Sequence, residues 1–204
     1  MRLGLFGGSF DPIHYGHLLL AECCWEQARL DQVLFVPAAI APHKRGYMAA
    51  PSEGRVAMVE LAIAGHSAFR VSRHEIDRGG VNYTVDTLET FHSRWPDAEL
   101  FFLLGADMFH DLPNWRRASR VCQLATPLVV SRAGEDPIRL ETLDGIATSE
   151  RLESIAQEQV RMPPVCISSS EIRQRVSRGQ SIRYRTPPEV VEYIRRRRLY
   201  EDAE

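Results

Sequence analysis

Short apolar runs recur along the chain and alternate with longer stretches in which apolar residues fall three or four apart. The runs Leu3–Phe6, Val33–Pro37, Phe69–Ser72, Leu100–Leu104 and Leu128–Val130 have the length and residue types of buried strands. Helical patterns follow most of them, at His17–Leu30, Glu53–Ala64, Val85–Arg94, Trp115–Leu124 and Glu171–Ser177. The second of these repeats Val56, Val59, Ala62 and Ile63, the spacing of one buried helical face. Leu140–Gln159 reads as a connecting segment with a polar helix, Gly179 as a helix stop, and Pro187-Pro188 as the opening of a last helix. Strand and helix in near-regular alternation predict a doubly wound α/β domain over residues 1–204, with a parallel sheet, right-handed crossovers and a small C-terminal helical elaboration. Ligands of such sheets gather beyond the carboxyl ends of the strands at the switch point, which directs attention to the turns after strands one and four.

Composition narrows the class without choosing a chemistry. With 204 residues the chain can bury a full core, and 44% hydrophobic with 25% charged residues is an ordinary globular balance. A net charge of -2 argues against a nucleic-acid partner. Lys44 is the only lysine, and the Arg195–Arg198 run ends a predicted helix, where cations complement the dipole. The four cysteines form no CxxC pair, so neither a disulfide framework nor a zinc site is expected. No stretch approaches the roughly 18 apolar residues of a membrane span. The expectation is a soluble cytoplasmic protein, with homo-oligomerisation left open.

The turn after strand one, Gly7-Gly8-Ser9-Phe10-Asp11-Pro12-Ile13-His14-Tyr15-Gly16-His17, carries the most chemistry. Paired glycines admit close approach of a ligand, and a helix start presents free N–H groups to an anion. A P-loop is excluded because no Gly-Lys dipeptide occurs, and a dinucleotide fingerprint because the glycine spacing is not GxGxxG and no acidic residue lies between Val33 and Ser52. His14 and His17, three apart at the helix start, would project together toward one phosphate and stabilise charge in phosphoryl transfer. The alternatives are a metal pair, for which HExxH is absent, or two structural histidines. A second element, Ile167-Ser168-Ser169-Ser170-Glu171-Ile172-Arg173, joins hydroxyls at a helix start to a guanidinium suited to phosphate, and also reads as a capping box between Ser168 and Glu171.

GGSFDPIHYGH resembles the GGxFDPxHxGH signature of the nucleotidylyltransferase superfamily, and ISSSEIR resembles its ISSTxIR motif, with Ser170 in place of Thr. The resemblance implies a Rossmann-like nucleotidylyltransferase fold. It implies ATP contacts from Gly7, Gly8, Ser9, Phe10, His14, His17, Ile167, Ser168, Ser169 and Arg173, with Mg2+ riding on ATP and with Lys44 neutralising phosphate, although Lys44 also reads as a surface cation and Arg45 could serve in its place.

Asn82–Leu88, Leu104–Asp107 and Leu112–Trp115 are similar to segments of the bacterial nicotinate-mononucleotide adenylyltransferases. That similarity implies that ATP and nicotinate mononucleotide are the substrates. It implies that Gly105 and Asp107 hold the adenosine, that Thr84 receives the nicotinate carboxylate, that Trp115 stacks on the pyridine ring, and that Ser9 and Lys44 also face the mononucleotide. Arg116 stands where the family commonly has Tyr or His. The chemical roles expected of His14, His17, Lys44 and Arg173 are those of charge-stabilising donors. Phosphopantetheine adenylyltransferase and a catalytically silent nucleotide-binding regulator are the competing readings.

Overall fold

The computed structural model describes residues 1–40, 49–132 and 138–201. Its strands are β1 (Arg2–Gly8), β2 (Gln32–Pro37), β3 (Phe69–Val71), β4 (Glu99–Gly105), β5 (Thr126–Arg132) and β6 (Val160–Met162). They form one six-stranded sheet in the order β3-β2-β1-β4-β5-β6. The β1/β4, β4/β5 and β5/β6 ladders are parallel, with Leu3 opposite Leu100 and Leu103 opposite Leu128. The chain runs outward from β1 to β3 and then returns to the other side of β1, which puts the switch point at the carboxyl ends of β1 and β4. The predicted doubly wound α/β fold is the fold observed.

The helices are α1 (Tyr15–Gln27), α2 (Ser52–Ile63), α3 (His74–Arg78), α4 (Thr84–Arg94), α5 (Ala106–Asp111), α6 (Ala118–Leu124), α7 (Ser149–Gln157), α8 (Ser169–Ser177) and α9 (Pro188–Arg197). Two differences from the pattern reading have local causes. The helix predicted from Trp115 begins only at Ala118, because Leu112–Asn114 forms a 3-10 turn and Arg117 enters with φ 55. The unpredicted β6 has two buried residues, Val160 and Met162, around an exposed Arg161, too short a run to stand out.

The chain divides into two compact units. One comprises Met1–Gly7, Leu20–Leu34 and Tyr83–Pro164. Its core is built from Leu3 and Leu5 of β1, Leu100–Leu104 of β4 and Leu128–Val130 of β5, all buried. In it α4 and α6 are joined by Glu89, which accepts from both Arg117 and Arg120. The other unit comprises Gly8–Leu19, Phe35–Asn82 and Val165–Glu204. There α2 packs on α9, and the buried face of α2 carries Arg55 as well as Val56, Met58, Val59 and Ile63. Among the described residues no helix is long and apolar enough to cross a membrane.

Candidate active site

The glycine turn folds around a buried phenyl ring. Phe10 adopts φ 46 and is fully buried, packing on His17 and Phe35 with ring centroids 5.2 Å and 5.7 Å apart. A Cβ at Gly8 would lie 2.9 Å from Phe10 Cζ, so the space that glycine opens is filled by this ring, whereas at Gly7 it stays open. The chain then enters α1, where the His14 carbonyl accepts the N–H groups of His17 (2.9 Å) and Leu18 (3.2 Å).

The two imidazoles stack with centroids 3.7 Å apart and planes 25° from parallel. His14 is buried and His17 half-buried. The His14 N–H donates to His17 Nδ1 at 3.3 Å, so in the neutral ring of His17 the proton resides on Nε2. Gly16 leaves room for this stack: a Cβ there would sit 3.0 Å from His14 Nδ1 and 3.1 Å from its Cε1, so the ring would have to shift to admit one.

The C-terminal third holds the same turn through successive carbonyls. Arg173 Nη1 donates to Asp11 O (2.8 Å), Ser169 Oγ to Pro12 O (2.9 Å) and Thr186 Oγ1 to Ile13 O (2.7 Å). The Tyr15 N–H donates in turn to Arg185 O at 3.0 Å. Arg173 is thus brought to the histidine turn, with its Nη2 on Ser170 Oγ at 3.3 Å. Ser168 caps α8, its Oγ accepting the Glu171 N–H at 3.1 Å. The Glu171 carboxylate pairs with Arg185 at 3.0 Å. Ile167 runs alongside, its carbonyl 3.8 Å from where a Gly16 Cβ would lie.

Three further residues brace the turn and carry no role in the sequence reading. The buried Asp11 carboxylate accepts the N–H groups of Ala49 (2.8 Å) and Ala50 (3.1 Å) and the Tyr200 hydroxyl (2.7 Å). Desolvation, and then the neighbouring Asp11 charge, push the Tyr200 phenol far above its ordinary range. Arg55, fully buried, donates to Ser9 O at 2.7 Å and to Ser52 Oγ at 3.2 Å; burial lowers its pKa while Asp11 counters that shift. An arginine on a helix ordinarily reads as surface, and a tyrosine so far along the chain gives no local signal of its partner.

Thr84, Gly105, Asp107 and Trp115 belong to the other unit. Gly105 closes β4 and precedes α5, and the exposed Asp107 lies in that helix's first turn. Thr84 opens α4 behind Tyr83, which provides no side-chain cap. Trp115 follows the 3-10 turn, half-buried, its Nε1 donating to Asp111 Oδ2 at 3.1 Å and its ring 6.0 Å from that of Phe102. The Arg116 guanidinium lies 4.7 Å above the Tyr83 ring, so this unusual side chain is held against the residue before Thr84. Lys44 lies outside the described residues.

A model of the cytidylyltransferase-like family matches residues 5–175, which span both phosphate-type motifs. A probable nicotinate-nucleotide adenylyltransferase of Thermomicrobium roseum is 43% identical over 203 residues, covering 100% of this chain and 93% of its own. One of Thermus thermophilus is 44% identical over 200 residues, covering 98% and 100%. Among solved structures, the Plasmodium falciparum nicotinic acid mononucleotide adenylyltransferase complexed with NaAD superposes with a TM-score of 0.73 over 98% of this chain and 97% of that one, at 19% identity. The chain belongs to the cytidylyltransferase-like family and, within it, to the nicotinate-nucleotide adenylyltransferases.

Proposed function

We propose that the chain, acting as a single cytoplasmic domain, transfers AMP from ATP to nicotinate mononucleotide, forming nicotinate adenine dinucleotide and pyrophosphate. A phosphate oxygen of the mononucleotide attacks the α-phosphorus of ATP, the bond from that phosphorus to the α–β bridging oxygen breaks, and pyrophosphate leaves. No protein nucleophile takes part. The charge gathering on the bridging and non-bridging oxygens is met by His14, His17 and Arg173, fixed donors of the kind that favour the transition state over the bound substrate, and by the positive charge of Lys44. The observation that carries this reading is the stacked histidine pair in a turn to which Arg173 is itself hydrogen bonded.

The hydrogen bonds divide the labour among the hydroxyls. Ser169 has its only side-chain proton engaged with Pro12 O, so its contact with triphosphate falls to its backbone N–H. Ser168 accepts at its oxygen and keeps a proton to donate. Arg173 retains further N–H donors beyond those facing Asp11 and Ser170.

Gly7, Gly8, Ser9 and Ile167 line the nucleotide phosphates in this reading, whereas Phe10, expected from the sequence to touch ATP, is fully buried and supports the turn from beneath. Gly105 and Asp107 take the adenosine, Thr84 and Trp115 the nicotinate ring, and Ser9 and Lys44 the mononucleotide phosphate. Magnesium enters with ATP: among the described residues no group of three or more His, Cys, Asp or Glu could hold it, and the Asp11 carboxylate already accepts three donors.

Purified protein given ATP and Mg2+ with nicotinate mononucleotide, nicotinamide mononucleotide or phosphopantetheine in separate reactions tests the assignment. Pyrophosphate release with nicotinate mononucleotide is expected. Release with phosphopantetheine alone would replace the acceptor, and tight ATP binding without any product would indicate a silent nucleotide-binding protein.

A further inference from the structure

The peptide unit joining Ile13 to His14 is used at both ends. Its carbonyl accepts the Thr186 hydroxyl at 2.7 Å, and its N–H donates to His17 Nδ1 at 3.3 Å. A continuous hydrogen-bond chain therefore runs from the Thr186 hydroxyl through one amide to the ring of His17. A donor on a carbonyl polarises the amide and strengthens the N–H at its far end, and the bond also fixes the plane in which that N–H points. Thr186 is 1% exposed and Ile13 is 0% exposed, so no water stands ready to replace the hydroxyl. The backbone flanking His14 is held on its other side as well, by the Tyr15 N–H on Arg185 O at 3.0 Å. Residues 185 and 186 thus grip both neighbours of His14, while Pro187 and Pro188 continue into α9.

We propose that Thr186 is a positioning residue for the adenylyl transfer: through the Ile13–His14 peptide it sets the orientation of the His17 imidazole and keeps its proton on Nε2. The inference rests on the reading of His17 as a donor to phosphate. A neutral ring with the other tautomer would present a lone pair, instead of a donor, to the developing negative charge.

The test compares Thr186→Val, nearly the same shape without the hydroxyl, with Thr186→Ser, which restores the hydroxyl and lacks the methyl. Turnover with ATP and nicotinate mononucleotide is measured at a temperature where all three proteins are folded. Histidine 15N spectra are recorded in parallel at about pH 8.5, where imidazole is neutral. For Thr186→Val, kcat is expected to fall about tenfold or more, since small displacements of catalytic groups cost that much. Its KM values should change by less than about twofold, because a group acting mainly in the transition state leaves substrate binding alone. The His17 signals should change from a single Nε2–H form to a mixture. Thr186→Ser should recover kcat to within about threefold of the parent, the hydroxyl being restored.

An unchanged His17 spectrum in Thr186→Val would overturn the proposal, as would a kcat that falls equally in the serine variant. If the parent protein forms no dinucleotide, the assigned reaction fails, but the spectra still decide whether Thr186 controls the His17 tautomer.

Discussion

Adding one methyl group at Gly16 gives a sharp test of the histidine stack. The new Cβ of Gly16→Ala would sit 3.0 Å from His14 Nδ1 and 3.1 Å from Cε1, against ordinary carbon contacts of about 3.5–4.0 Å. The His14 ring must therefore retreat by roughly half an ångström, and His17 stacks on it at 3.7 Å, so the pair shifts together. Overpacking of this kind costs about 1–3 kcal/mol. Alanine within the first turn of α1 returns roughly 0.5–1 kcal/mol of helix preference over glycine. The net destabilisation is therefore at most about 2–3 kcal/mol, and the melting temperature should drop by no more than roughly 10 °C. Catalysis suffers more: a displacement of about 1 Å can cost a hundredfold, so half of that predicts about a tenfold loss of kcat in protein that is still folded. Continuous pyrophosphate detection at 25 °C, beside a thermal melt, separates the two effects. A folded Gly16→Ala enzyme with kcat within twofold of the parent would refute the claim that the stacked geometry matters.

Three other outcomes follow from the same geometry. Arg173→Lys exchanges a planar fork for a point charge and loses the paired grip on Asp11 O and Ser170; it should lower kcat about 10- to 100-fold, the value of a charged hydrogen bond, and retention of parental kcat would contradict this. Disulfide-exchange reagents at pH 8 should label the exposed Cys166 rapidly and spare Cys23, Cys24 and Cys122, burial having pushed the Cys122 thiol up to about 11 and Cys24 higher still; fast labelling of a second thiol in native protein would contradict the core placement. Because the Tyr200 phenol is raised in the folded state, its stabilisation is complete below the ordinary tyrosine value of 10.0 and is lost as pH rises beyond it. Denaturant melts between pH 10 and 11 should show a slope shallower by about 1.4 kcal/mol per pH unit at most in Tyr200→Phe, and identical slopes would contradict it.

Much of the fold is legible because its core strands are continuous apolar runs. Leu100–Leu104 is recognisable by itself as a buried parallel strand, and all five residues are buried. The histidine turn is legible because glycines and histidines crowd one strand–helix junction. What holds that turn is less visible. Thr186 looks like a residue introducing Pro187, and only the fold brings it to Ile13, far away in sequence. Arg55 interrupts a face that hydropathy would assign to apolar residues, yet its guanidinium is covered and bonded to Ser9 O. Short elements escape for a different reason: α3 and β6 offer too few residues for a period to emerge. Trp115 is identifiable as a candidate ring platform, but its place outside α6 depends on the backbone of Arg117, which no side-chain pattern encodes.

If the adenylyl group passes directly from ATP to the mononucleotide at the glycine–histidine turn, its phosphorus never resides on the protein. Incubating the protein with magnesium and nicotinate mononucleotide, once with ATP labelled at the α-phosphate and once at the γ-phosphate, tests this most directly. The α label should appear in the dinucleotide and the γ label in pyrophosphate, with neither retained on denatured, precipitated protein. Label from the α-phosphate bound covalently to the polypeptide, or γ label transferred to the mononucleotide, would contradict direct adenylyl transfer.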